Sequence, residues 1–203
     1  MRGHRTVVAL LCLGSALLPA AALGGAQQYE PLADSVRAAM AAALRDRDAP
    51  GLNFSSADDA HRWLYEMSKR LAGRIPDRAS RIQLLKLVHY ESLRAGLDPQ
   101  LVLGVIDVES GFRKYAVSRA GARGYMQVMP FWIRQIGNAK DNLFHTRTNL
   151  RYGCVILRHY LDMENGDASR ALGRYNGSLG ELRYPARVFA ALRARWHYDG
   201  PTS

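Results

Sequence analysis

Cysteine is nearly absent, with two in 203 residues. Cys12 sits in an N-terminal segment with the marks of an export signal. Cys154 is then left alone, and no internal disulfide is available to hold the fold. Long apolar runs are absent as well. The longest, Val7 to Leu18, is about a dozen residues, well below the roughly 20 that a transmembrane helix needs. Metal-ligand spacings are missing: His61, His89, His145, His159 and His197 form no HExxH, and there is no CxxC. Neither a metal nor a cofactor is therefore expected. The chain also lacks GxSxG, GxxxxGK[ST] and GxGxxG, which removes the usual signatures of serine hydrolases, P-loop proteins and dinucleotide binders.

What is present begins with Arg2, His4 and Arg5 ahead of that apolar run, followed by Pro19 and the small-residue stretch AAALGGA. This pattern predicts a secretory signal peptide over residues 1–26, cleaved after Ala22 or Ala26, and a periplasmic or otherwise exported product. The remaining chain is long enough for one sizeable core. Lys and Arg outnumber Asp and Glu by 28 to 18, which suits an anionic partner such as cell-wall polymer. The arginines are scattered, and clustered charge with interleaved aromatics is missing, so nucleic acid is not the expected partner.

Hydrophobic spacing predicts helices throughout. Leu32, Val36, Met40 and Leu44 mark one over Pro31 to Arg47, closed by Ala49-Pro50-Gly51. Others run from Ser56 to about Gly73, from Asp77 to Ala95, and from Gln100 to Ser110 behind the Asp98-Pro99 start signal. Residues 112–124, rich in Gly, Ala, Ser and Arg, read as an ordered loop or small hairpin. A short helix is expected after Pro130, then helices over Thr148 to Met163, Asp167 to Asn176 and Tyr184 to Trp196. Leu150, Cys154, Leu157 and Leu161 share one stripe, which makes Cys154 a core residue rather than a nucleophile. The expected class is mainly α, with an N-terminal helical extension over residues 27–76 and a catalytic domain over residues 77–203.

Two acids interrupt this pattern. Leu101, Val102, Val105, Ile106 and Glu109 share one helix face, while Asp107 points to the other side. Glu109 thus inherits a buried position at a helix C-terminus. Desolvation and the negative end of the helix dipole both raise its pKa, the condition for a general acid. Pairing with an arginine would lower it instead. Glu91 continues a similar stripe through Leu84 and Val88, and periodicity alone does not choose between the two. Arg94 nearby favours an ion pair for Glu91.

Three motifs carry a resemblance: Glu109-Ser110-Gly111-Phe112, then AVSRAGARGYMQVMP from Ala116 to Pro130, then RYNGS from Arg174 to Ser178. In this order they are similar to the soluble lytic transglycosylase (SLT-domain) family, whose catalytic domain is lysozyme-like, of the goose type. The match spans Ile82 to Trp196. The resemblance implies peptidoglycan glycan strands as substrate, and cleavage of the MurNAc-GlcNAc β-1,4 bond without water to give 1,6-anhydro-muramyl products. It makes Glu109 the sole acid/base, with the sugar's 2-acetamido group replacing the second carboxylate of paired-acid glycosidases. It further implies that Ser110 hydrogen-bonds near the acid or the sugar, that Met126 and Gln127 line the glycan groove, and that Gly124 lets the backbone approach the sugar. The Tyr175 hydroxyl would reach Glu109 or the developing positive charge, and Asn176 would orient the loop or substrate. Tyr125 and Arg174 depart from the Leu and Ala of many members. Tyr125, Phe131 and Trp132 are candidates for sugar stacking, or else for core packing. A hydrolytic lysozyme-like enzyme and a non-catalytic wall-binding protein are the alternatives.

Overall fold

The computed structural model describes residues 26–45 and 51–200. The expected signal peptide, Cys12 included, lies outside the described residues apart from Ala26. The helices are α1 (Asp34–Arg45), α2 (Ala57–Leu71), α3 (Arg78–Arg94), α4 (Pro99–Glu109), α5 (Phe131–Ile136), α6 (Thr146–Met163), α7 (Ala168–Asn176) and α8 (Arg183–Ala191). The last runs on into a π-helical turn, Leu192–Trp196. Among the described residues the only β pairing is two isolated antiparallel bridges, Val117 with Arg123 and Arg123 with Val128. They form a small hairpin within residues 117–128, reaching past the expected 112–124, and the fold is mainly helical, the class expected.

The helices begin where the sequence places acceptors. Ser56, Asp77 and Asp167 each cap an N-terminus by accepting the backbone N–H three residues on, and Asp98 accepts the one two residues on. The predicted helix from Tyr184 to Trp196 is interrupted only in kind, since its last turn widens to π geometry. That widening accompanies the burial of Trp196, whose indole N–H donates to Asp107 at 3.0 Å.

No helix among the described residues is long and apolar enough to cross a membrane. The core centres on α4 and α6. Val102, Leu103, Val105 and Ile106 of α4 and Leu150, Cys154, Ile156 and Leu157 of α6 are fully buried. Trp63, Met67 and Leu71 of α2 join the same apolar cluster. α3, α8 and the π turn pack directly on α4, and α4 delivers its last residue, Glu109, to the edge of that core.

Candidate active site

Glu109 is the final residue of α4 and is half-buried. Two consecutive left-handed residues follow almost at once, Gly111 (φ 57°) and Phe112 (φ 64°). Glycine tolerates this conformation freely and phenylalanine does not. Phe112 is held there by burial against Trp196, with ring centroids 5.1 Å apart, and under the Arg74 guanidinium. The chain thus turns away sharply, and the carboxyl stands at the floor of a pocket of about 140 Å³. Its other lining residues include Gln127, Tyr175, Asn176, Tyr184 and Arg187.

Burial pushes the Glu109 pKa up to about 7, against a hydrogen bond from Tyr184, the positive charge of Arg187 and a hydrogen bond from Asn176, which all favour the anion. The Tyr184 hydroxyl donates to Glu109 Oε1 at 2.6 Å. Desolvation wins, so the carboxyl holds its proton near neutrality. The adjacent groups are placed to stabilise the carboxylate once the proton has left. Among the described residues lining this pocket and the adjoining open groove, Glu109 is the only acid. Asp107, two residues away, faces the opposite side of α4, where Arg74 (2.8 Å), Arg195 (2.7 Å) and Trp196 surround it. Glu91 is fully buried and bound by Arg94, Arg147 and Arg151 at 2.9 to 3.1 Å.

The other expected site residues fall into two groups. Gln127 and Asn176 line the pocket. Gln127 sits in a left-handed conformation (φ 48°), fixed by donation from its side chain to the carbonyls of Gly124 (2.9 Å) and Ala116 (3.2 Å). Tyr175 also lines the pocket, but its hydroxyl donates to the Met126 carbonyl at 2.7 Å. The bond to Glu109 is made by Tyr184.

Ser110 and Met126 support the site from behind. The Ser110 hydroxyl donates back to the Ile106 carbonyl at 3.1 Å, as a helix-end serine does. Met126 is fully buried, and its side chain fills the space that a Cβ on Gly153 of α6 would need. It therefore packs in the core and does not face the groove. Tyr125, Phe131 and Trp132 are likewise at most 9% exposed and pack inward rather than offering stacking surface.

Gly124 departs from its expected role in the same way. Its φ is 77°, and a Cβ there would lie 2.4 Å from the Asn149 amide nitrogen. The close approach serves Asn149, not a sugar. Asn149 accepts from the Met126 N–H at 2.8 Å and donates to the carbonyls of Arg123 and Leu143. It thereby fastens the hairpin to α6.

Sequence reasoning missed Tyr184, Arg187, Ser118 and Asn149. Ser118 lines both the pocket and the groove. Tyr184 and Val188 do lie four residues apart on the buried face of α8, so the signal available was a stripe that ends in a hydroxyl needing a partner.

The family model described as "Transglycosylase SLT domain" matches residues 86–192. A transglycosylase of Enterobacteria phage PRD1 is 30% identical over 127 residues, covering 59% of this chain and 47% of the phage protein. The membrane-bound lytic murein transglycosylase C of Glaesserella parasuis is 43% identical over 147 residues, covering 64% of this chain and 39% of the relative. A solved structure of an inactive mutant of the lytic transglycosylase Slt from Pseudomonas aeruginosa shares 28% identity and a TM-score of 0.44. That match covers 56% of this chain and 19% of that one. The chain spans less than half the length of these relatives.

Proposed function

The chain belongs to the Transglycosylase SLT domain family, and from that premise we propose that it is an exported peptidoglycan lytic transglycosylase in which Glu109 is the single acid/base. The observation that carries this reading is the carboxyl at the junction of pocket and groove, with its pKa raised to about 7 and no second acid among the described residues that line either. Most glycoside hydrolases, inverting or retaining, employ two carboxylates flanking the scissile bond. Here the second role falls to the substrate.

In the first step Glu109 donates its proton to the leaving glycosidic oxygen as the C1–O4 bond breaks, and the 2-acetamido oxygen supports the positive charge at C1. The resulting carboxylate is held by Tyr184, Arg187 and Asn176, so the factors that lower its pKa act where charge develops. In the second step Glu109 takes the proton from the sugar's 6-hydroxyl as O6 closes on C1. This yields a 1,6-anhydro ring and restores the acid. Gln127 and Asn176 contact the glycan, while Ser110, Met126 and Tyr175 keep the backbone around it in place. Residues 1–26 act as the export signal and residues 77–203 carry the activity.

Digestion of purified sacculi tests the reading through product mass. Muropeptides one water lighter than lysozyme products are expected, and Glu109→Gln abolishes their release. Products with free reducing ends would instead make the protein a hydrolase. Binding to sacculi with no products from the wild-type protein would leave it a wall-binding protein.

A further inference from the structure

The groove at Glu109 is asymmetric. On one side it is open, about 550 Å³, along Arg113, Lys114, Tyr115 and Val117. On the other lies the pocket of about 140 Å³, walled by Ala26 and Gln27. A cavity of about 150 Å³ holds one benzene ring, so this side has little room for a continuing polymer.

The wall is a strap that crosses from the hairpin to the end of α7. Gln27 is 5% exposed, and both ends of its amide are used: Oε1 accepts from the Met129 N–H at 3.1 Å and Nε2 faces the Gln127 carbonyl at 3.4 Å. Gln28 donates to the Gly177 carbonyl at 3.3 Å. The Ala26 carbonyl fills the space where a Cβ on Gly177 would stand. Farther along, the Tyr29 ring meets Phe131 edge-on at 5.6 Å, and Gln135 donates to the Glu30 carbonyl at 3.0 Å. The Glu30 carboxylate faces Arg174 at 3.6 Å. A segment anchored to the hairpin by a buried glutamine and to the end of α7 by its neighbour is part of the site.

We propose that residues 27–30 form a barrier at one end of the glycan groove, restricting cleavage to the last sugars of a strand. The strand lies along the open side and its end meets the strap. This rests on the lytic transglycosylase reading, and the two are separable, because that reading concerns whether anhydro products form and this one concerns where along the strand they are cut.

The test uses long glycan strands, sized by chromatography early in digestion, with the wild-type protein and a variant combining Gln27→Ala, Tyr29→Ala and Glu30→Ala. Wild type is expected to release short products while the remaining strands stay near their starting length. The triple variant is expected to lose that excess of short products and to generate mid-length fragments. Glu30→Ala alone, at an exposed edge of the strap, is the milder version if the triple variant melts early, and a partial shift in the same direction is expected. Mid-length fragments from the wild type would overturn the proposal. So would an unchanged product distribution in a folded strap variant. Faster cutting with the same distribution would also overturn it, by making the strap an inhibitory plug. Absence of any anhydro product from the wild type would count against the activity itself.

Discussion

At the residue scale, Glu109 ties activity and stability to the same proton. Its pKa is raised from 4.5 to about 7, so the folded state favours the protonated form. For an acid shifted upward, the cost to folding is absent below about pH 4.5, grows as pH rises, and is complete above about pH 7. At roughly 1.4 kcal/mol per pKa unit it reaches about 3 kcal/mol. Glu109→Gln removes the charge and keeps the shape. The variant should melt above the wild type at pH 8 and level with it near pH 4, as calorimetry at the two pH values would report, while losing about 100- to 10,000-fold in turnover. The catalytic limb has the same origin: kcat/KM should fall as pH rises through about 7, where the acid is lost. The Tyr184 hydroxyl favours the anion, so Tyr184→Phe should move that limb to higher pH, by about one unit if the bond is a typical charge-assisted one. A limb that stays in place would remove Tyr184 from the tuning of the acid.

At the element scale, Glu91 is the counterpart of Glu109, a stripe-breaking acid with a structural fate. Its carboxylate receives Arg94 from α3 and Arg147 and Arg151 from α6, all with little exposure. Two of these arginines extend to the unsatisfied C-terminal carbonyls of α1: Arg151 to Leu44 at 3.0 Å, and Arg94 to Ala43. One acid thereby orders three helices. Glu91→Gln leaves the arginines buried without their counter-charge, which costs about 3–5 kcal/mol and should lower the melting temperature by about 10 °C. Thermal unfolding followed by circular dichroism would show it, and a drop of only a degree or two would mean that the cluster is well solvated. The helices and the carboxyl at the end of α4 were legible because 3.6-residue periodicity and capping residues act over short distances. The partners were not. Arg147 and Arg151 meet Glu91 from 56 and 60 positions away, and Tyr184 meets Glu109 from 75. Such pairings follow from how the helices cross. The resemblance places Met126 and Gly124 at the groove for the same reason, since a motif says that a turn is needed but does not say which of its faces meets α6.

At the scale of the whole molecule, α1 and α2, which precede the family match, share the apolar cluster of the helices that carry the site. Three tryptophans sample that cluster in three places. Trp63 of α2 packs on His89 and Phe54, Trp132 of α5 on Phe131 and Tyr160, and Trp196 in the terminal π turn on Phe112. Each is at most 2% exposed. The Asp107 cluster adds a polar tie, because Arg74, just beyond α2, and Arg195, from the other end of the chain, bind the same carboxylate. A chain of this size often unfolds in more than one step, but a shared core and a shared carboxylate oppose that. Variants retaining one tryptophan each, with the other two changed to phenylalanine, should therefore show urea transitions by fluorescence that coincide with their own far-ultraviolet dichroism. If the Trp63 signal were lost first, residues 27–76 would be a separable unit, and the strap at Glu109 would lose its connection to the stability of the rest.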